Sequence, residues 1–173
     1  MNKLSTYGGE AKLDSLKGKI VKKIYMNYEF LKFETDLGDY VFGVSGDCCS
    51  SSYFYDFYGV KNLIGGRIID IQIVDIDSEK AEREAKAKSI LENGYNSIDS
   101  LACYGYQFTT HSEEFGDVTS VFSFRNESNG YYGGSLEDRS NDTLVEPEIT
   151  EDVTEIKIPN HDHLQIPHHP LSR

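Results

Sequence analysis

From Ile20 onward, polar and apolar residues alternate over several short stretches, and that alternation predicts strands. Residues 20–25 read as the first. Residues 30–35 are the second, with Leu31 and Phe33 on one face and Lys32 and Glu34 on the other. Asp36-Leu37-Gly38-Asp39 then reads as a hairpin turn, because Gly38 can take the positive φ that closes a short loop, and residues 40–44 return as a third strand. Residues 45–57 break the pattern and read as a dense loop or short helical turn. Gly65-Gly66 precedes a β-branched run, 68–74, with the character of a central strand.

The spacing changes at Ser78. Ser78 can cap a helix, Glu79 and Glu82 suit the positive end of its dipole, and Asn93-Gly94 stops it, which predicts a helix over 78–92. Its apolar face is thin (Ala81, Ala85, Ile90, Leu91), so the helix belongs on the surface. Two further strands, 103–109 and 118–124, group Tyr104, Tyr106 and Phe108 on one face and Val118, Ser120, Phe122 and Phe124 on another. The polar connection 111–117, with Gly116, joins them as a hairpin.

These elements define an α+β chain: a single, mainly antiparallel, hairpin-rich sheet of about five to six strands, curled toward a half-barrel, with one or two helices. The domain is expected to span 1–136, with a loose start at 1–12 and a short lead-in at 13–19. Beyond Leu136 the chain loses its aromatics and gains charge, so 137–173 lacks the apolar surface that would offset ordering entropy and is expected to be a disordered, acidic tail.

Composition adds exclusions. The 173 residues are 38% hydrophobic and 12% aromatic, enough for one core, and Tyr and Phe supply every aromatic because Trp is absent. Fifteen Gly against four Pro suit a turn-rich β chain better than a helical bundle. The formal net charge is −12, and residues 137–155 hold eight carboxylates against Arg139 alone. Phosphate contact needs a basic face, so direct nucleic-acid binding is disfavoured. The longest apolar run, near Ile68, is broken by Asp70, Gln72 and Asp75, which excludes a membrane helix there. The first residues lack the apolar stretch of a secretory signal, and three cysteines, two of them adjacent, are not a disulfide framework. A cytosolic protein with free thiols is expected.

Two segments carry candidate chemistry. In Gly46-Asp47-Cys48-Cys49-Ser50, a nucleophilic role for Cys48 or Cys49 would need a base, and His111, oriented by or acting beside Asp47, is the one histidine available before the tail. Adjacent cysteines on a strand point to opposite faces and chelate poorly, so a metal site would need Cys103 and His111 to converge, and no metal or other cofactor is expected. The competing reading is a tight turn with one cysteine packed inside. No phosphate-binding glycine loop occurs: residues 59–66 lack the Gly-Lys-Ser/Thr ending. The second segment runs from Arg125-Asn126 through Asn129-Gly130 to Tyr131-Tyr132-Gly133-Gly134, a pair of tyrosines between flexible glycines. Tyr53, Tyr55, Tyr58, Arg125, Asn126, Tyr131 and Tyr132 are the candidate binding residues. The histidines of the tail, His161, His163, His168 and His169, sit in a Pro-containing stretch suited to adventitious metal binding at most.

The strings Gly46-Asp47-Cys48-Cys49-Ser50 and Arg125-Asn126-x-Ser128-Asn129-Gly130-Tyr131-Tyr132-Gly133-Gly134 resemble those of a family of small phage and prophage proteins of unknown function, over about residues 16–136. The resemblance implies a phage context, in which many small acidic proteins bind and disable host proteins. The expected function is therefore a non-enzymatic binding module in the host cytosol. It would inhibit a host defence or nucleic-acid-processing protein, of anti-CRISPR or anti-restriction type, by placing acidic and tyrosine side chains in that partner's basic groove. A small Cys/His enzyme and a phage structural or assembly accessory are the alternatives, and a homodimer remains open.

Overall fold

The computed structural model of the chain describes residues 13–142 and 149–154. Its strands are β1 (Val21–Met26), β2 (Phe30–Thr35), β3 (Gly38–Gly46), β4 (Ser50–Tyr58), β5 (Arg67–Val74), β6 (Ser100–Ser112), β7 (Gly116–Ser128), β8 (Gly134–Asp138) and β9 (Glu151–Asp152), with one helix, α1 (Ser78–Asn93), between β5 and β6. They form two antiparallel sheets, ordered β8-β3-β2-β1-β9 and β4-β7-β6-β5. The mainly antiparallel character and the helix follow the alternation and cap signals. The single curled sheet does not: there are two, neither closed on itself, and they share one core.

Alternation explains the shared core. Each sheet turns one side inward: Val21, Ile24, Leu31, Phe33, Phe42 and Leu136 from the first meet Phe54, Ile68, Phe108, Phe122 and Phe124 from the second. Phe33 lies at the junction. Its ring sits 6.0 Å from Phe42 within its own sheet, and 5.6 Å from Phe122 and 6.0 Å from Phe108 in the facing sheet. These edge-on and tilted arrangements are the favoured ones for aromatic pairs.

Residues 50–58 are a strand rather than a loop. Serine at 50, 51 and 52 conceals the polar–apolar alternation, because Ser52 faces inward yet is polar. Register nonetheless places Ser52 opposite Asn126 and Phe54 opposite Phe124 on the buried side. The supposed tail is also partly built into the fold. Gly134–Asp138 adds β8 to the edge of β3, and Glu151–Asp152 adds β9 to β1, with Leu136, Ile149 and Val153 buried. A few apolar anchors at alternating positions suffice once an open sheet edge supplies the hydrogen bonds. The loose start at 1–12, residues 143–148 and the stretch 155–173 with its histidines lie outside the described residues.

Helix α1 is capped by Asp77, whose side chain accepts the Lys80 N–H, and ends at Gly94 with φ 78. Ser78 has a different task. β5 stops pairing with β6 at Gly105, and there α1 takes over: the Ser78 hydroxyl accepts the Cys103 N–H and Glu82 accepts the Leu101 N–H. The helix thereby covers a strand edge that would otherwise expose unmet backbone donors. Ala81 of α1 packs on Leu101 and Cys103 beneath it. No helix among the described residues is long and apolar enough to cross a membrane.

Candidate functional site at the end where the chain changes sheet

Register places Ser50, Ser128 and Ser100 side by side in one row across β4, β7 and β6. Residues 47–49, 129–133 and 94–99, which adjoin these serines, therefore emerge together at one end of the sandwich. Gly46 pairs with Gly134 at the same end, so the two motif strings, far apart in sequence, meet. The first carries the chain from β3 in one sheet to β4 in the other; the second carries it back from β7 to β8. Turn 27–29 braces the two strands that flank the first crossing, since the Glu29 carbonyl accepts the Val44 N–H and the Tyr28 carbonyl accepts the Phe54 N–H.

Close approach dictates much of both motifs. A Cβ on Gly134 would stand 2.5 Å from the Ser52 Oγ and 2.9 Å from Phe124, and one on Gly46 would stand 2.5 Å from the Ser50 Oγ. Asn126, fully buried, donates from its side-chain amide to the Ser52 hydroxyl at 2.9 Å, and Ser52 donates to the Ser45 carbonyl at 2.9 Å. This chain of bonds ties β7 to β4 and β4 to β3, one sheet to the other. Asn126 is thus a tether rather than a contact residue.

The remaining candidates divide by exposure. Tyr53 is buried: Tyr28 stacks on it at 5.2 Å and its hydroxyl donates to Glu127. Burial, then the Glu127 charge, pushes the Tyr53 phenol far above its usual range, and burial also raises Tyr28. Arg125 is buried with its guanidinium 3.8 Å from the Tyr55 ring centroid, a cation–π contact on the outer face of β4 and β7. Tyr58 is exposed but lies at the other end of β4. Tyr131 (90% exposed) and Tyr132 (41%) project from the glycine-flanked crossing, and Tyr95, which sequence reasoning passed over, joins them at 61%. Tyr95 directly follows the Gly94 cap, outside the helix, and the Asn93-Gly94 stop signal was its available marker.

The four connecting segments at this end, 27–29, 47–49, 94–99 and 129–133, carry Tyr28, Tyr95, Tyr131 and Tyr132, the carboxylates Glu29, Asp47 and Asp99, and neither lysine nor arginine. Beside them lies an open polar cleft of about 320 Å³ lined by Glu29, Ser45, Ser50, Ser51, Ser52 and Arg139. Arg139 is held at its mouth by Glu137 at 2.7 Å.

Asp47, Cys48 and Cys49 form the β3–β4 crossing, both cysteines exposed, with the Asp47 carbonyl accepting the Ser50 N–H and hydroxyl. His111 is at the opposite end, eleven positions along β6 from Ser100, a span of about 35 Å at the usual rise of a strand. Its ring bonds Asp117 at 2.6 Å. The structure therefore does not bring thiol and imidazole together. The Cys48 thiol is raised above its ordinary value, chiefly by its hydrogen bond to Cys49, the opposite of the lowered value an activated nucleophile needs. Cys103 is buried under α1, and among the described residues no group of three or more His, Cys, Asp and Glu side chains converges.

Fold and site together define a two-sheet antiparallel domain with a loop cluster at one end. Residues 14–137 match a family described as a domain of unknown function (DUF7448), and the chain belongs to that family. No curated protein and no solved structure matches it.

Proposed function

We propose that this protein is a non-enzymatic protein-binding module whose contact surface is the loop-bearing end of the sandwich. The observation that carries the reading is the segregation of side chains. The four connections at that end carry exposed tyrosines and carboxylates and neither lysine nor arginine, and Arg139 of the adjoining cleft is paired with Glu137, whereas the lead-in and connections at the other end include Lys17, Lys19 and Lys61. Tyrosine offers large contact area at small entropic cost, and loops held by a rigid scaffold are where binding surfaces concentrate. Uncompensated carboxylates around such anchors favour a basic partner and speed its capture. The similarity of both motifs to phage proteins supports a partner among host defence or nucleic-acid-processing proteins, bound in its basic groove and so inhibited.

The test is a pull-down from host lysate with the full-length chain, a Tyr95→Ala/Tyr131→Ala/Tyr132→Ala variant and an Asp47→Asn/Asp99→Asn variant, at low and moderate salt. A basic partner held by the wild type, lost with the tyrosine variant and bound with weaker salt dependence by the charge variant supports the proposal. A partner retained equally by all three proteins sinks it.

A further inference from the structure

Neighbouring side chains on an extended strand point to opposite faces, which would make an adjacent cysteine pair a poor chelator. Here the backbone removes that obstacle. Cys49 has φ 65, and among the described residues it is the one non-glycine in the left-handed region. The reversal turns both side chains to the same side, with Cys48 Sγ and Cys49 Sγ 3.3 Å apart and both residues exposed. Two sulfurs that near can share one atom. With metal–sulfur bonds of about 2.3 Å, a 3.3 Å separation corresponds to an S–M–S angle near a right angle. That is too narrow for tetrahedral zinc or for the wide angles of two-coordinate copper(I) or mercury(II). It suits a pyramidal centre whose lone pair compresses its bonds. A disulfide fits less well: adjacent Cα atoms stand about 3.8 Å apart, below the usual 4.4–6.8 Å of disulfides.

We propose that Cys48 and Cys49 form a preorganised dithiol site for one soft, trivalent, pyramidal centre, the class exemplified by organoarsenic(III). The step balances without any redox change. An arsenic(III) oxide R–As=O reacts with both thiols; two S–H bonds and the arsenic–oxygen bond break, two As–S bonds form, and both protons leave with the oxygen as water. Arsenic stays trivalent. The proposal does not depend on the binding function above, although the site lies on the same surface, at the start of β4.

Phenylarsine oxide is the probe, titrated against the full chain and followed by intact-mass spectrometry and by thermal melting. Wild type and Cys103→Ser are each expected to take one equivalent. Cys48→Ser and Cys49→Ser keep only one As–S bond and should lose affinity by roughly 10²–10⁴-fold, the usual gain from making the second contact intramolecular. Because the folded turn holds the sulfurs in place, the adduct should also raise the melting temperature of wild type and Cys103→Ser, as any ligand that prefers the folded state does. Two results would overturn the proposal. One is uptake that requires Cys103. The other is an adduct that leaves the melting temperature unchanged or lowers it, which would make the pair a flexible dithiol that the fold does not preorganise.

Discussion

Ser52→Ala is the substitution that most directly tests how the two sheets are joined. The Ser52 hydroxyl is the middle of a three-part chain, accepting from the Asn126 amide and donating to the Ser45 carbonyl, each at 2.9 Å. Alanine fits the space but removes both bonds. Ser45 is only half-buried and its carbonyl can turn to water; Asn126 is fully buried and cannot. Losing a bond costs about 1 kcal/mol and stranding a buried amide a further 1–3 kcal/mol, so the expected destabilisation is about 2–4 kcal/mol. For a domain of this size that is roughly 6–12 °C in melting temperature. Asn126→Ala should be milder, near 1 kcal/mol, because its Oδ1 already lacks a partner and is deleted along with the donor. On the Ser52→Ala background the same change should be neutral or stabilising, since it removes the stranded group. Thermal and urea unfolding of the two single variants and the double variant give the coupling directly. Single effects that add to within about 0.5 kcal/mol, or a Ser52→Ala protein as stable as wild type, would refute the tether.

Further expectations follow from other parts of the fold. Cys49→Gly should raise stability by up to about 1 kcal/mol, because glycine occupies φ 65 without the steric cost that cysteine bears, less its greater freedom when unfolded; unfolding in denaturant measures it. The Lys86 side chain first, then the Leu101 N–H, hold the Glu82 carboxyl below its ordinary 4.5, so its contribution is complete above that pH and is lost as pH falls through the lower folded value. Glu82→Gln should therefore melt below wild type near neutrality, and the gap should close under acid conditions. Burial raises the Tyr53 phenol above the value it has unfolded, so its contribution is complete below pH 10 and declines above it; Tyr53→Phe should melt with less alkaline sensitivity than wild type. Phe33→Ala should cost about 3–5 kcal/mol in equilibrium unfolding, since that ring bridges the two sheets.

The hairpins were legible because local signals specify them: alternation marks the strands, and Gly38 and Gly116 sit where a turn needs a positive φ. Sheet membership was not, because alternation says that a residue faces inward and not which layer it faces. Two successive strands, β3 and β4, lie in different sheets, and nothing in residues 47–49 announces the crossing. β4 was hidden because its inward Ser52 answers a buried polar partner distant in sequence. The same non-locality governed the site. Tyr131 and Tyr132 could be read as exposed from the glycines around them. The depth of Tyr53 depends on Tyr28, which arrives from another turn, and the orientation of the adjacent thiols depends on one residue's departure from extended backbone.

The long β6–β7 hairpin has a consequence for the order of assembly. Thirteen residue pairs close around the three-residue turn 113–115, so this ribbon can form from contacts near in sequence. Its neighbour β4 must be recruited from far away: Ser52 and Asn126 are separated by 74 positions. Loop-closure entropy delays such pairings, so the ribbon is the expected nucleus, and the end bearing both crossings is the last to set. Substitutions in the middle of β6 and β7 should then slow folding, whereas those at Gly46, Ser52 and Gly134 should chiefly hasten unfolding. The proposed contact surface would then be the part of the molecule that opens first and most often.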